Sequence, residues 1–511
     1  MRPYTNKDVL AIYRQLIKIS YELVDKGNRS KGANYLSSAA KWAYQFNFIY
    51  SDPSADALIK RISDDEIKHV VIDHSVDNRY VLIDSFCLDN RGLTQQYLRA
   101  MIQNGVEVLF VCTASSIEKD SDILFELSNY PKARTLLFVD GRFNSIEMAR
   151  SITEEIARYA PSHIYLHIAP WDIAALLACS SVTGSTVINI NLTDHAFWLG
   201  SSLIDYNIEF RPYGMTVSLE KRGLKPKQLL QQPFYPVAPI GHPFRGFPII
   251  PDDAVKIFTG GALYKFLGKK DIFFHMMEVL LSISPNVYIL VAGFDSSAIF
   301  DKKCSVIKGR ERILQIGVRD DIDAVFQNCD IYLSTYPTSG GLMCQYAAKY
   351  KKPILAYRDV DDMENAVEEM VNHFCNGLKS YTDLNVFVDY ARQLIFDKWF
   401  RQVEGNSINK GLMTADAFAE SFPKLVSSHN KQWNWSRDRI NYDAFSNHYL
   451  GLENNNGFAA TKTLVLERKL HLLINLKGYR IQLLSCVPRI IKDIRFSHLV
   501  RIIYKRICTF S

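Results

Sequence analysis

The chain has 511 residues, of which 48% are hydrophobic and 22% charged, with a formal net charge of +6. That length is too great for one core and predicts roughly two to four domains, while the composition excludes a disordered chain. With no uninterrupted apolar run of about 18 residues, no membrane span is expected.

Nine cysteines without a C-x-x-C pair argue for scattered reduced thiols, not a disulfide or zinc framework. The opening MRPYTNKDVLAIYRQL lacks an apolar signal core with a small-residue cleavage site, so a cytoplasmic location is expected. Charge is uneven along the chain. From Leu464 to Ser511, ten basic residues face two acidic ones, which leaves the rest close to neutral.

Residues 1–65 read as helices, through LAIYRQLIKISYELV and YLSSAAKWAYQF, because their apolar positions fall near helical spacing with few breakers. From 66 to 225, strand-like runs (IKHVVI, RYVLID, VEVLFV, RTLLFV, HIYLHI, STVINI, YNIEF) alternate with helical ones such as LTQQYLRAMIQN and SIEMARSITEEIARYA. Such alternation predicts a mostly parallel sheet covered by helices. Residues 226–254 carry seven prolines between Pro226 and Pro251 and read as an interdomain linker. Alternation resumes over 255–430, with VKIFTGG, VYILVAG, RILQIG, DIYLST and PILAY as strands. Residues 431–511 read as an irregular segment followed by a basic amphipathic tail. The whole is an α/β chain with two doubly wound domains and a ligand cleft at the carboxyl ends of their strands.

Two turns of the second domain share one chemistry. In IFTGGALYKFLGKKDIFF, Gly260 and Gly261 follow a strand, with Lys265, Lys269 and Lys270 close behind. In DIYLSTYPTSGGLMCQYAAKYKKPILAY, Thr338, Ser339, Gly340 and Gly341 stand where a strand hands over to a helix. Helix-leading amides, glycines that admit an anion to the backbone, and a compact cation are what a diphosphate needs. Either turn alone is equally well an ordinary glycine turn.

In the first domain, Asp194 and His195 follow the strand VININ. An imidazole there serves as a base or donates to departing charge, and a carboxylate removes a hydroxyl proton. The competing reading is a hydrogen-bonded structural histidine. Arg211, in FRPYG, is a second cleft candidate or a surface ion pair. Asp89, Arg91 and Gly92, in IDSFCLDNRGLTQQYL, lie between a strand and a helix, where turn formation alone also explains them. The Asp-rich runs DVDDMEN and RDDID read as solvated loop ends and not a metal site.

The series Gly-Gly with Lys265, VYILVAG, RILQIGVRDDIDAVFQNCDIYLSTYPTSGG and KPIL resembles the nucleotide-sugar domain of GT-B glycosyltransferases, particularly bacterial enzymes that build surface polysaccharides such as lipopolysaccharide or capsule. The resemblance spans roughly 67–395 and is strongest over 255–357. It implies two Rossmann-like domains facing across a cleft, an acceptor domain at 66–225 and a donor domain at 255–430. It further implies that Gly260, Gly261, Lys265, Ser339, Gly340 and Gly341 hold the donor diphosphate, with Gly317 and Arg319 bordering the base. The loop TDHAFWLG is similar to a cleft-facing loop of these enzymes, and Asp89, Arg91 and Gly92 fall near the acceptor. Where retaining members carry two glutamates, this chain has Thr338 and Tyr346, and Gln345 stands beside the second position as a partner for a sugar hydroxyl.

The expected substrate is a UDP- or GDP-sugar, with no obligatory cofactor and no metal; the acceptor is a glycan, in all expectation lipid-linked. Residues 464–511, with Ile490, Ile491 and Ile494 interleaved with Arg489, Lys492 and Arg495, suit the anionic inner face of the cell membrane, about 1 kcal/mol per nearby cation. The alternative is a tail packed on the body. Nucleic acid is not expected, because aliphatics and not stacking aromatics separate the cations. Rival functions are a nucleotide-sugar epimerase of the same fold, a non-catalytic binding module, and last a dinucleotide oxidoreductase, for which no G-x-G-x-x-G follows any strand.

Overall fold

The computed structural model describes residues 3–472, apart from 91, 115, 119–120, 139–142, 238–241, 429–432, 434, 457–458, 468 and 470–471. Helices Asn6–Asp25, Arg29–Phe46 and Pro53–Glu66 open the chain. Thr5 and Asp8 form a capping box at the first, and Asp52 with Pro53 starts the third, as helix-start chemistry predicts. Their apolar stripes, including Leu16, Leu36 and Leu58, are buried against the first lobe. The buried Asp56 accepts from the amides of Gly200 and Ser202 at 2.7 and 3.0 Å, tying the third helix to the loop after the histidine segment.

The first lobe is a seven-stranded, wholly parallel sheet. Its strands are β1 (Val76–Asp84), β2 (Glu107–Cys112), β3 (Ala133–Leu137), β4 (Pro161–His167), β5 (Thr186–Ile190), β6 (Tyr206–Glu209) and β7 (Leu229–Gln231), in the order β3-β2-β1-β4-β5-β6-β7. The second has β8 (Val255–Gly260), β9 (Val287–Ala292), β10 (Ile313–Gly317), β11 (Ile331–Leu333) and β12 (Ile354–Leu355), in the order β10-β9-β8-β11-β12, again parallel. Each sheet reverses direction beside its first strand. The crevices at the carboxyl ends of β1/β4 and β8/β11 are therefore where doubly wound sheets bind ligands.

Three sequence expectations need correction. Of IKHVVI, only Val70–Val71 pairs, with Val182–Thr183 and outside the main sheet; Lys68 and His69 interrupt the apolar run. The linker begins later than 226, because Leu229–Gln231 adds an edge strand with Leu230 buried. Proline withholds a donor only at its own position, and 229–231 lie free between Pro226 and Pro233. The stretch read as irregular holds helices Tyr442–Asn456 and Ala459–Leu466. Its asparagines bond tertiary partners: Asn454 exchanges two hydrogen bonds with the Tyr4 backbone, at 2.7 and 3.0 Å.

The chain returns to its start in two steps. Helix Ala415–Ser421 packs on helix Thr94–Gln103, with the Phe418 and Tyr97 rings 5.1 Å apart. Helix Tyr442–Asn456 then runs on toward the N-terminal helices, where Lys41 Nζ meets Glu467 Oε1 at 2.6 Å. Leu464 and Leu472 are buried there, so residues 464–472 belong to the body at the described positions. The amphipathic stretch 488–507 lies outside the described residues. Among the described residues, no helix is long and apolar enough to cross a membrane.

Candidate functional site

Beyond β8 and β11 the two glycine turns face each other. The Gly261 amide donates to the Ala292 carbonyl at 3.1 Å. Gly293 is left-handed at φ +106°, and a Cβ there would lie 2.7 Å from the Gly261 carbonyl carbon. Only glycine lets these loops approach so closely. In the facing turn, the Thr335 hydroxyl donates to the Thr338 carbonyl at 2.7 Å, and Lys265 Nζ reaches across to the Ser339 carbonyl at 3.1 Å. Gly340 starts helix Gly341–Lys349 without a side-chain cap, so its leading amides face the turn unclaimed by a cap. Burial lowers the Lys265 pKa, and among the described residues no carboxylate lies within 4 Å of it. Gly260, Gly261, Lys265, Thr338, Ser339, Gly340 and Gly341 are thus brought together around a desolvated cation.

Other expected donor residues are placed elsewhere. The Arg319 guanidinium is buried in a two-pronged pair with Asp321, both contacts at 2.6 Å, and donates to the Gly246 carbonyl at 2.9 Å. It fastens the linker through three of its five N–H groups, with its face against the Phe244 and Phe247 rings. Gly317 stays at the site margin at φ +70°, its carbonyl accepting from Gly293 at 3.1 Å. Gln345 is buried and donates to the carbonyls of Phe234 and Met370, both at 3.0 Å, while the Tyr346 hydroxyl bonds Val237 O at 2.6 Å. Where retaining enzymes place a glutamate, this chain ties helix Gly341–Lys349 to the linker. Gln345 is therefore a structural tether through its amide nitrogen.

The acceptor-side turn divides in the same way. Asp89 accepts from the amides of Asp122 and Ile123 at 2.8 and 3.0 Å, so its carboxylate is spent on starting helix Asp122–Ser128. Arg91 lies outside the described residues. Gly92, at φ +71°, presses against His167, whose Cε1 would be 3.3 Å from a Cβ. His167 itself is buried with Nδ1 3.1 Å from Asp84 Oδ2, at the matched ends of β1 and β4. The sequence offered no sign of this pair.

His195 is 27% exposed on its side-chain surface and stands over a buried support. Its Nδ1 lies 3.4 Å from Asp194 Oδ1. Asp194 is itself gripped by Arg211, Nε to Oδ2 at 2.5 Å and Nη2 to Oδ1 at 3.1 Å. Burial opposes the Asp194 charge, but Arg211 and His195 outweigh it and hold the carboxyl well below the ordinary carboxylate range. Such an acid is a poor proton acceptor; the geometry suits it to orienting His195, with proton transfer left to the imidazole. Arg211 also donates through Nη1 to the Glu364 carbonyl of the other lobe at 2.7 Å. It is an interlobe tie and not a surface ion pair. Below the loop, Arg222 Nη2 donates to the carbonyls of Asp194 and Ala196, both at 2.7 Å, bracketing His195 from behind.

The second lobe and the returning helix Tyr442–Asn456 contribute residues that no spacing predicted. Glu364 Oε1 lies 3.2 Å from the Tyr449 hydroxyl, and the Tyr449 ring stacks on His195 at 6.2 Å. Burial pushes the Glu364 carboxyl up to about 7, with His195 and Arg211 pulling the other way. Asn365 accepts from the Ser339 amide at 2.7 Å, and Lys269 pairs with Asp359 and Asp362 at 2.6 and 3.0 Å. The DVDDMEN run, expected to be a solvated loop end, is therefore a wall of the cleft.

Because the folded Glu364 pKa lies above its ordinary 4.5, folding binds a proton through this group, and its contribution to stability falls as pH rises from about 4.5 to 7. Glu364→Gln is expected to remove that loss. The difference in unfolding free energy between variant and wild type should grow in the variant's favour across this window, with a slope of at most about 1.4 kcal/mol per pH unit. Urea titrations at pH 4.5 and 7.5 measure it; equal differences at both would show that Glu364 carries no such shift.

No family model and no curated protein matches the sequence. Solved structures do. A mutant of the O-GlcNAc transferase of Thermobaculum terrenum matches with 13% identity and a TM-score of 0.51, over 86% of this chain and 85% of that one. The lipopolysaccharide outer core galactosyltransferase WaaB has 12% identity over 69% and 100%, with a TM-score of 0.46. The UDP-GlcNAc 2-epimerase of Neisseria meningitidis has 11% identity over 68% and 99%, with a TM-score of 0.43. With two wholly parallel, doubly wound lobes whose switch points meet across a cleft, the chain has the GT-B fold.

Proposed function

We propose that the protein is a glycosyltransferase that moves a sugar from a nucleotide donor to a glycan acceptor. The observation that carries this reading is the meeting of the Gly261 and Ser339–Gly341 turns around Lys265 at the β8/β11 switch point. Amides, a glycine-lined approach and a half-buried ammonium with no carboxylate within 4 Å among the described residues form an anion cradle of diphosphate type. The acceptor oxygen forms its bond to the anomeric carbon as the bond to the diphosphate oxygen breaks. The electron pair leaves on the diphosphate, beside Lys265, and the hydroxyl proton passes to His195.

A UDP- or GDP-sugar as donor, a lipid-linked glycan of a bacterial surface polysaccharide as acceptor, and a place at the inner membrane face complete the reading. The eight basic residues from Lys477 to Arg506, which follow the part packed on the body, support the last of these.

Release of nucleoside diphosphate from UDP- and GDP-sugars, with and without a detergent extract of bacterial envelope lipids, tests it. Release that depends on the extract is expected. Conversion of the donor to an epimer without extract would assign the fold to epimerisation instead, and tight nucleotide binding with neither reaction would make the protein a binding module.

A further inference from the structure

Beside the Glu364–Asn365 wall lies a cavity of about 190 Å³, enclosed between the 359–365 loop and the start of helix Tyr442–Asn456. It is well below the about 300–1,000 Å³ of a pocket for a drug-sized ligand, too small for a nucleotide and sized for one sugar ring. Asp359, Asp361, Asp362 and Glu364 line it together with Phe445 and Tyr213. Carboxylates paired with an aromatic face match a sugar's two surfaces, the hydroxyl rim that donates and the apolar C–H face that packs. Tyr213 adds an independent sign. It is 1% exposed, and among the described residues its hydroxyl has no hydrogen-bond partner. A buried phenol left without a partner costs free energy that a ligand hydroxyl would recover.

From this geometry we infer that the cavity is a subsite for the acceptor's terminal sugar, and that it takes a neutral or amine-bearing ring and rejects an anionic one. The inference rests on the transferase reading and adds the acceptor's chemistry to it. The charge preference follows from Asp359, Asp361 and Asp362 set against Lys269, which is already shared between Asp359 and Asp362. A carboxylate on the ligand would meet like charge while the lysine among the described lining residues is already taken, which is discrimination by repulsion. Room for the rest of the glycan is present too. A depression of about 400 Å³ shares Lys269 and His448 with the cavity and continues along the same helix to Gly451 and Leu452.

Saturation-transfer NMR on the full chain tests this with three probes at millimolar concentration: methyl glucoside, methyl glucosaminide and methyl glucuronide. The first two should receive signal and the glucuronide none. Ala444 is exposed on the rim, so Ala444→Trp plugs the cavity without disturbing the core and should weaken both contacts at least tenfold. Asp361→Lys, at another exposed position, should bring the glucuronide into contact. UDP and GDP binding by calorimetry on the same samples judges the donor reading separately, since the glycoside signal needs no nucleotide. UDP bound while neither glycoside is, glycoside signal surviving the Trp plug, or the glucuronide strongest on wild type would each overturn the inference and leave the donor site standing. Failure of both UDP and GDP to bind wild type would strike the transferase reading instead.

Discussion

Arg211→Met is expected to cost about 3–5 kcal/mol of unfolding free energy, the range for removing one partner of a buried pair. The variant leaves Asp194, 1% exposed, without the guanidinium that holds both of its oxygens, and it deletes the bond to the Glu364 carbonyl across the cleft. Asp194 fixes the sign of the pH dependence. Its folded pKa is depressed, so the pair's stabilisation is fully present above the ordinary carboxylate range and is lost as pH falls through the folded value. In the variant the stranded carboxyl takes up a proton more readily, so the deficit should be largest near pH 7 and shrink on acidification. Adding Asp194→Asn to Arg211→Met should restore part of the loss, because the uncompensated charge is gone. If urea titrations show the double variant no more stable than the single one, the penalty has another source.

His195→Ala is expected to lower kcat by about a hundredfold to ten-thousandfold, the usual contribution of a positioned general base. Nucleotide affinity should stay within about twofold, because the imidazole stands on the first lobe and the anion cradle on the second. Asp194→Asn should give a smaller loss if the carboxylate only orients the ring through its contact with Nδ1. Transfer assays that separate kcat from KM decide between these roles. Loss of nucleotide affinity in the alanine variant with kcat unchanged would place His195 in binding.

Much of the fold was legible because both lobes obey local rules. Strand runs such as VEVLFV and VYILVAG are short, apolar and bounded by turns, and both became central parallel strands. The Pro-rich linker concealed β7, since its pairing depends on the β6 edge and not on local propensity. The convergence of the glycine turns on Lys265 was legible for a similar reason: glycines and a lysine placed after strands act through nearby backbone.

The surroundings of His195 were not. Glu364 is 153 residues from Arg211 in sequence, and the bond between them exists only because the lobes close on each other. Arg319 and Gln345 looked like ligand contacts by position alone. Their buried environments required partners, and the linker supplied them. Tyr449 carries no local signature, and its role depends on a helix that returns from the far end of the described chain.

The most direct test of the cradle is calorimetric titration of UDP, GDP and uridine against wild type and Lys265→Ala. Loss of a charge-assisted contact of about 1.5–3 kcal/mol should weaken UDP roughly tenfold to a hundredfold, and leave uridine, which lacks phosphates, unchanged. Equal UDP affinity in the two proteins, or binding of neither UDP nor GDP to wild type, would contradict the assignment of the Gly261–Lys265–Gly341 convergence as the diphosphate site.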